Sequence, residues 1–227
     1  MPTPIDFSLV LAAAVHDMKN SLSLLMQSLE TLETNIDEHN STARQQLSDV
    51  HYEAARLNTG LVQMLSLYRS ELSELPLNID EHFIEDVFTE LAGANAIYIR
   101  QRNVTLNLHY ENDISGFFDK DLIFLLLNDV LINAMRYGNQ TIDLSASMVD
   151  NQLVITIEDD GQGYPQRMLE QSTTGLADFN VSQGRTGLGL FFARLIAKAH
   201  SNHDQHGKIE LSNGGKYGGS VFKVKLP

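Results

Sequence analysis

The apolar positions of the first third recur in alternating steps of four and three. Leu11, Val15, Met18, Leu22, Leu25, Leu29, Leu32 and Ile36 form a sustained a/d seam of a helix. "DEHNST", residues 37–42, interrupts it with turn formers and helix-capping types. A second seam follows at Leu47, Val50, Ala54, Leu57, Leu61, Met64 and Tyr68. Two long helices joined by a short loop make an antiparallel hairpin. One hairpin leaves much of each apolar stripe uncovered, so the pattern predicts a second copy and a four-helix dimer.

The heptad rhythm stops at "SELPLNID", residues 73–80. Pro76 cannot continue a helix interior. The spacing therefore predicts a helical hairpin over 1–73, a linker over 74–80 and a second domain over 81–227. In that domain a helix is expected from about Asp80 to Arg100, and "VTLNLHY" alternates as a strand does. "FDKDLIFLLLNDVLINAMRYG" reads as a buried helix opening at Asp119. "TIDLSASMV" and "QLVITIED" read as strands turning at "DNQ", and "TGLGLFFARLIAKAH" as a helix. "KIELS" and "SVFKVKL" close the chain as strands. Strands and helices mix without a βαβ repeat. The fold class expected is α+β, a hairpin followed by a sandwich with helices on one face of a mixed sheet.

Composition narrows the partners. The 227 residues, 43% of them hydrophobic, suffice for one large core or two small ones. A formal charge of −13, with 16 scattered Lys and Arg, argues against nucleic acid and anionic lipid. Cysteine is absent, which removes disulfides, thiolate metal sites and cysteine nucleophiles. No apolar run approaches the roughly 18 to 20 residues of a membrane span, and no cleavable leader is evident. A soluble, cytoplasmic protein is expected.

Candidate chemistry concentrates in the second domain. "EDDGQGYP" places Asp159-x-Gly161-x-Gly163 at the end of an apolar strand, where glycines allow a tight turn and close backbone approach. The run Gly187, Leu188, Gly189, Leu190 opens a helix, and free N–H groups there suit a phosphate chain. Asp129 and Asn133 stand four apart on one helical face, an oxygen pair suited to Mg²⁺ bound together with phosphates. Arg136 lies a turn further on and can meet an anion. Phe192 occupies the place of a third glycine, so the dinucleotide fingerprint fails, and no P-loop motif exists.

Taken in order, the Asn box, DxGxG, GxGxx and the closing "GGKYGGSVFKVKLP" resemble the Bergerat-type ATP-binding domain. With "HDMKN" on a heptad hairpin in front of it, the chain is similar to bacterial histidine kinases of two-component systems. The resemblance implies ATP and Mg²⁺ as cofactors and a homodimer joined through the hairpin. It implies His16 as phosphoacceptor, Asp17 as the acidic neighbour that takes its proton, and Asn20 as the residue implicated in dephosphorylating a partner. It further implies Asn133 as Mg²⁺ ligand beside Asp129, Arg136 at the phosphates and Tyr137 beside the nucleotide. Asp159 would accept from the adenine amino group. Gly161, Gly163, Gly187 and Gly189 would surround the nucleotide, Ser220 would lie near the adenine, and residues 164–186, with Phe179, would form a lid.

The implied function is autophosphorylation of His16 and transfer to an aspartate of a response-regulator receiver domain, with a phosphatase role through Asn20. Only fifteen residues precede His16, so the signal is expected to come through a separate input protein, or the chain is a fragment of a longer kinase. The short Pro-containing linker is expected to act as a hinge. Ser21 occupies the place of a proline that the family often carries and that bends the helix. Two rivals are a dimeric phosphotransfer scaffold with a degenerate ATP domain, and an ATPase of the same fold without phosphohistidine. His200, His203 and His206 are expected as solvated loop residues, not metal ligands.

Overall fold

The computed structural model describes residues 7–37, 40, 42–44, 46, 47, 49, 50, 53, 54, 57, 60, 77–173 and 187–227. The chain divides into two compact units, Met1–Glu74 and Leu75–Pro227. In the first, α1 spans Phe7–Asn35 without a break. Ser21 donates its hydroxyl to the carbonyl of Asp17, 3.0 Å away, where a proline would have removed the backbone bond to that same carbonyl. Asn40 caps the second helix, α2, whose described residues fall within 42–60: its Oδ1 accepts from Ala43 N at 3.0 Å.

The heptad seam divides in two. Leu22, Leu29 and Ile36, with Met26, pack against Leu47 and Ala54 of α2. Met18, Leu25 and Leu32, the alternate seam positions of α1, are exposed, as are Val50 and Leu57 of α2. Each set repeats every seven residues. One apolar stripe thus closes the helix pair and the other is left on its surface. The seam positions Leu61, Met64 and Tyr68 lie outside the described residues.

The second unit runs β1 (Asp80–Phe83), α3 (Ile84–Ala94), α4 (Ala96–Arg102), β2 (Thr105–His109), β3 (Ser115–Phe118) and α5 (Lys120–Tyr137). It continues with β4 (Thr141–Val149), β5 (Gln152–Asp159), α6 (Gln166–Thr173), α7 (Gly187–Ala199), β6 (Ser201–Asn202), β7 (Gln205–His206), β8 (Lys208–Asn213) and β9 (Ser220–Leu226). Five strands form a mixed sheet in the order β2-β4-β5-β9-β8, with β2 parallel to β4 and the other pairs antiparallel. The α+β expectation therefore holds for this unit. Helices α5 and α7 pack on each other; α5 also meets β5, and α7 meets β8 and β9. Ile123, Leu127 and Leu131 of α5 and Phe192 and Ile196 of α7 bury against Ile155, Ile157, Phe222 and Val224.

The helix expected from Asp80 to Arg100 is corrected. Its first four residues pair as a strand with Ser115–Phe118, and the remainder splits at Asn95. Asn95 is buried and donates its amide to Leu91 O and to Asn128 Oδ1, each at 2.8 Å. The asparagine thus fastens the helix break to α5. Part of the expected linker also belongs to this unit: Asn78 N donates to Asp119 Oδ2 at 2.9 Å. The other carboxylate oxygen of Asp119 caps α5, accepting from Leu122 N at 3.0 Å.

Candidate functional site

The site is built where the end of β5 meets the last turn of α5 and where the middle of α5 meets the first turn of α7. The apolar alternation of β5 delivers Asp159 onto the helix-covered face, paired in register with Ile142. Its carboxylate is only 3% exposed and is held by donors. Oδ1 accepts from Gly161 N at 2.8 Å and from Ser220 N at 3.1 Å, and the Ser220 hydroxyl donates to Oδ2. An oriented acceptor at the end of a strand can receive an amino group.

The loop after Asp159 is pressed against α5. A β-carbon on Gly161 would stand 2.4 Å from the carbonyl oxygen of Tyr137, so this approach admits glycine alone. Asp160 fastens the same junction: its Oδ1 accepts from Asn139 N at 2.9 Å and Gln140 N at 3.1 Å. Those bonds hold its carboxyl below the usual range against an opposing effect of burial. Gly163 takes a positive φ of 80° and faces the Asn213 amide.

On α5, Asp129 faces the first turn of α7. A β-carbon on Gly189 would lie 2.6 Å from its Oδ2. Burial raises the Asp129 carboxyl to about 6. Asn133, one turn on, is exposed, as are Arg136 and Tyr137, and the Arg136 guanidinium lies 5.4 Å from the Tyr137 ring centroid. Gly187 and Leu188 belong to the first turn of α7, and the Leu190 side chain is buried. The second unit thus brings Asp159, Gly161 and Ser220 together at the end of β5 and sets Gly189 against Asp129, with Asn133, Arg136 and Tyr137 further along the same helix as Asp129.

Residues 118–227 match the family described as histidine kinase-, DNA gyrase B- and HSP90-like ATPases. This part of the chain is similar to the ATP-binding domains of that group. The chain is 25% identical, over 77% of its length, to the signal transduction histidine-protein kinase AfsQ2 of Streptomyces coelicolor. It is 23% identical, over 96% of its length, to the adaptive-response sensory kinase SasA of Crocosphaera subtropica. It spans 31% of the first and 58% of the second. The solved histidine kinase AdeS of Acinetobacter baumannii shares the fold, with a TM-score of 0.60 at 21% identity, over 91% of this chain and 95% of that one.

The second unit holds site features that motif spacing did not single out. Tyr164, directly after Gly163, is half-buried, and its phenol stands beside Ser220 and Asp159. Burial holds that phenol protonated above its ordinary range; the Ser220 contact opposes the shift and the Asp159 charge adds to it. Its backbone is clasped by Asn213, whose Oδ1 accepts from Tyr164 N at 2.6 Å and whose Nδ2 donates to Tyr164 O at 2.9 Å. The one sequence signal for Tyr164 was its adjacency to the DxGxG run.

His16, Asp17 and Asn20 lie on α1 in the other unit, Asp17 and Asn20 exposed. Of the expected lid, residues 166–173 form α6, while 174–186, Phe179 among them, lie outside the described residues. The expectation of a solvated His200 is corrected. Its side chain is 1% exposed, with Nε2 accepting from Asp119 N at 3.0 Å and Nδ1 2.8 Å from Ile196 O. His203 and His206 are exposed on the short β6–β7 hairpin.

Proposed function

We propose that the protein is an ATP-dependent histidine autokinase that phosphorylates His16 and passes the phosphoryl group to an aspartate of a response-regulator receiver domain. One observation carries the reading. A buried, donor-held Asp159 sits in a domain similar to those of histidine kinases, on the same chain as a His16-Asp17-x-x-Asn20 sequence on α1, where Asp17 and Asn20 are exposed.

Phosphoryl transfer requires positioning and charge neutralisation more than covalent help from the protein. Asp159 orients the purine through its amino group, and the N–H groups opening α7 face the phosphates. The neutral His16 imidazole attacks the γ-phosphorus, an N–P bond forms, and the bond to the bridging β,γ-oxygen breaks with ADP as leaving group. Asp17 takes the second ring proton as positive charge builds on the imidazole. Asn20, one turn beyond His16, is suited to orient a water against a phosphoaspartate, which gives the chain a regulator phosphatase role.

The residues present fit Mg²⁺. Asp129 is a half-buried carboxylate with no hydrogen bond or ion pair to another described residue, and Asn133 adds an amide oxygen one turn away. When bound there, the ion supplies charge neutralisation to the phosphates. The uncovered half of the heptad seam supports a homodimer. No described helix is long and apolar enough to cross a membrane, and with the acidic composition this supports a cytoplasmic place for the domain, addressed by a separate input protein.

Incubation with γ-labelled ATP and Mg²⁺ tests the reading. Wild type is expected to gain an acid-labile, alkali-stable label that His16→Ala and Asn133→Ala both lose. Label persisting in His16→Ala would move the acceptor elsewhere. A calorimetric titration without ATP binding would favour the scaffold alternative.

A further inference from the structure

The two faces of the sheet at the end of β5 carry different carboxylates. Asp159 lies on the helix-covered face; Asp143 of β4, paired in register with Glu158, lies on the opposite one. Asp143 is 4% exposed. Its cover is the turn between β8 and β9. Lys216 Nζ donates to Asp143 Oδ2 at 2.9 Å, and the Tyr217 hydroxyl donates to Oδ1 at 3.0 Å. Asn107 of β2 donates to Oδ1 at 2.8 Å, and His109 Nε2 lies 3.2 Å from Oδ2. The Lys216 ammonium also lies 4.7 Å from the Tyr217 ring centroid.

To make these contacts the turn must cross β5. Gly215 takes a φ of 47°, and a β-carbon on it would stand 2.8 Å from Glu158 Oε1. After Tyr217 the chain folds back to the other face. A β-carbon on Gly219 would lie 2.2 Å from the Asp159 carbonyl oxygen, and Gly214 N donates to Gly219 O at 2.9 Å. Three residues after Tyr217, Ser220 delivers its N–H and hydroxyl to Asp159. The turn is a clasp around the end of β5, fastened to Asp143 on one side and carrying Ser220 on the other.

We infer that Asp143, Lys216 and Tyr217 are positioning residues for nucleotide binding: they fasten the β8–β9 turn so that Ser220 holds the Asp159 carboxylate in its purine-accepting orientation. The inference rests on the ATP-binding reading of the Asp159 site. Lys216 and Tyr217 bond to Asp143 and not to Asp159 itself. Their effect passes through the backbone of Gly218, Gly219 and Ser220.

The test measures ATP affinity by calorimetry, and the KM and kcat of autophosphorylation, on the full chain with Mg²⁺. Variants are Asp143→Asn, Lys216→Met, Tyr217→Phe, Lys216→Arg, Ser220→Ala and the double variant Asp143→Asn/Ser220→Ala. Lys216→Met and Tyr217→Phe alter half-exposed side chains and keep the test open should Asp143→Asn fold poorly. Lys216→Met, Tyr217→Phe and Asp143→Asn are expected to weaken ATP binding and raise KM by about fivefold or more, with kcat within about twofold. Lys216→Arg is expected to restore wild-type affinity. In the Ser220→Ala background, Asp143→Asn is expected to add less than about twofold, because both act through one contact. Unchanged affinity in folded Lys216→Met and Tyr217→Phe, or effects that multiply in the double variant, would overturn the latch. Wild type that fails to bind ATP would overturn the underlying reading as well.

Discussion

Gly189 of α7 stands against Asp129 of α5 so closely that a β-carbon on it would lie 2.6 Å from the carboxylate Oδ2. Burial at this contact raises the Asp129 carboxyl from 3.8 to about 6. The native state then holds its proton more tightly than the unfolded chain, and stability falls as pH rises from 3.8 through about 6. At neutral pH the penalty is about 3 kcal/mol, at roughly 1.4 kcal/mol per pH unit. Asp129→Asn is therefore expected to raise Tm at neutral pH without metal, with the gain vanishing near pH 4. It is also expected to weaken Mg²⁺-dependent ATP binding by about tenfold or more. Melting curves across that pH range, paired with titrations, check both. A variant no more stable than wild type at neutral pH would mean that the carboxylate is compensated.

Ser220 satisfies Asp159 with two donors, one from the backbone and one from the hydroxyl. Ser220→Ala removes the second and leaves a buried carboxylate oxygen short of a partner, at a cost of roughly 1–3 kcal/mol. ATP affinity is expected to fall by about 5- to 100-fold, while Ser220→Thr keeps it near wild type. Calorimetry on the two variants separates the hydroxyl from side-chain size. Equal losses in both would assign the effect to packing.

How much of this was legible along the chain depends on the range of the cause. Asp159, Gly161 and Gly189 stood out because their chemistry is written within a few residues: an apolar strand, a tight turn, a helix start. The heptad seam was legible for the same reason, since its period is local. The strand β1 was not. "DEHF" is charged, and its pairing with Ser115–Phe118 is set by a partner more than thirty residues away. The buried Asn95 break depends on Asn128, and the latch on Asp143 depends on Lys216 and Tyr217, neither of which a local pattern can announce. His200 misled because its neighbours in sequence are polar while its neighbours in space are the start of α5 and the end of α7.

That histidine gives a pH prediction. Burial lowers the pKa of His200, opposed by its bond to Ile196 O and by the charge of Asp119. The neutral ring donates from Nδ1 to Ile196 O and accepts at Nε2 from Asp119 N, and a second proton would break the latter bond. A depressed histidine pKa contributes stability that is present above the unfolded value near 6.5 and is lost as pH falls toward the folded value. The stability advantage of wild type over His200→Ala is expected to shrink as the solution is acidified below pH 6.5, since the Asp129 contribution is common to both. His200→Ala is expected to be about 2–4 kcal/mol less stable at neutral pH, through the cavity and the unsatisfied Asp119 N–H. Denaturation midpoints at two pH values distinguish the outcomes, and parallel acid sensitivity in the two proteins would place the titrating group elsewhere.

The divided heptad seam predicts which leucines hold the helix pair together and which hold two copies together. Leu22 and Leu29 are packed against α2, whereas Leu25 and Leu32 are exposed in the single chain. A buried leucine stabilises by about 1.5–3 kcal/mol, so uncovered leucines repeated along two helices make a strong drive for a second copy. Leu25→Glu/Leu32→Glu is expected to convert a dimer to a monomer while keeping helical circular dichroism within the hairpin. Leu22→Glu/Leu29→Glu is expected to lose the helical hairpin itself, because the charge would be buried without a partner. Sedimentation equilibrium at roughly 10 µM, with far-UV spectra of the same samples, reads both quantities. A wild type that sediments as a monomer there would remove the assignment of the exposed stripe to self-association. Equal loss of helix in the two double variants would show that all four leucines serve one interface.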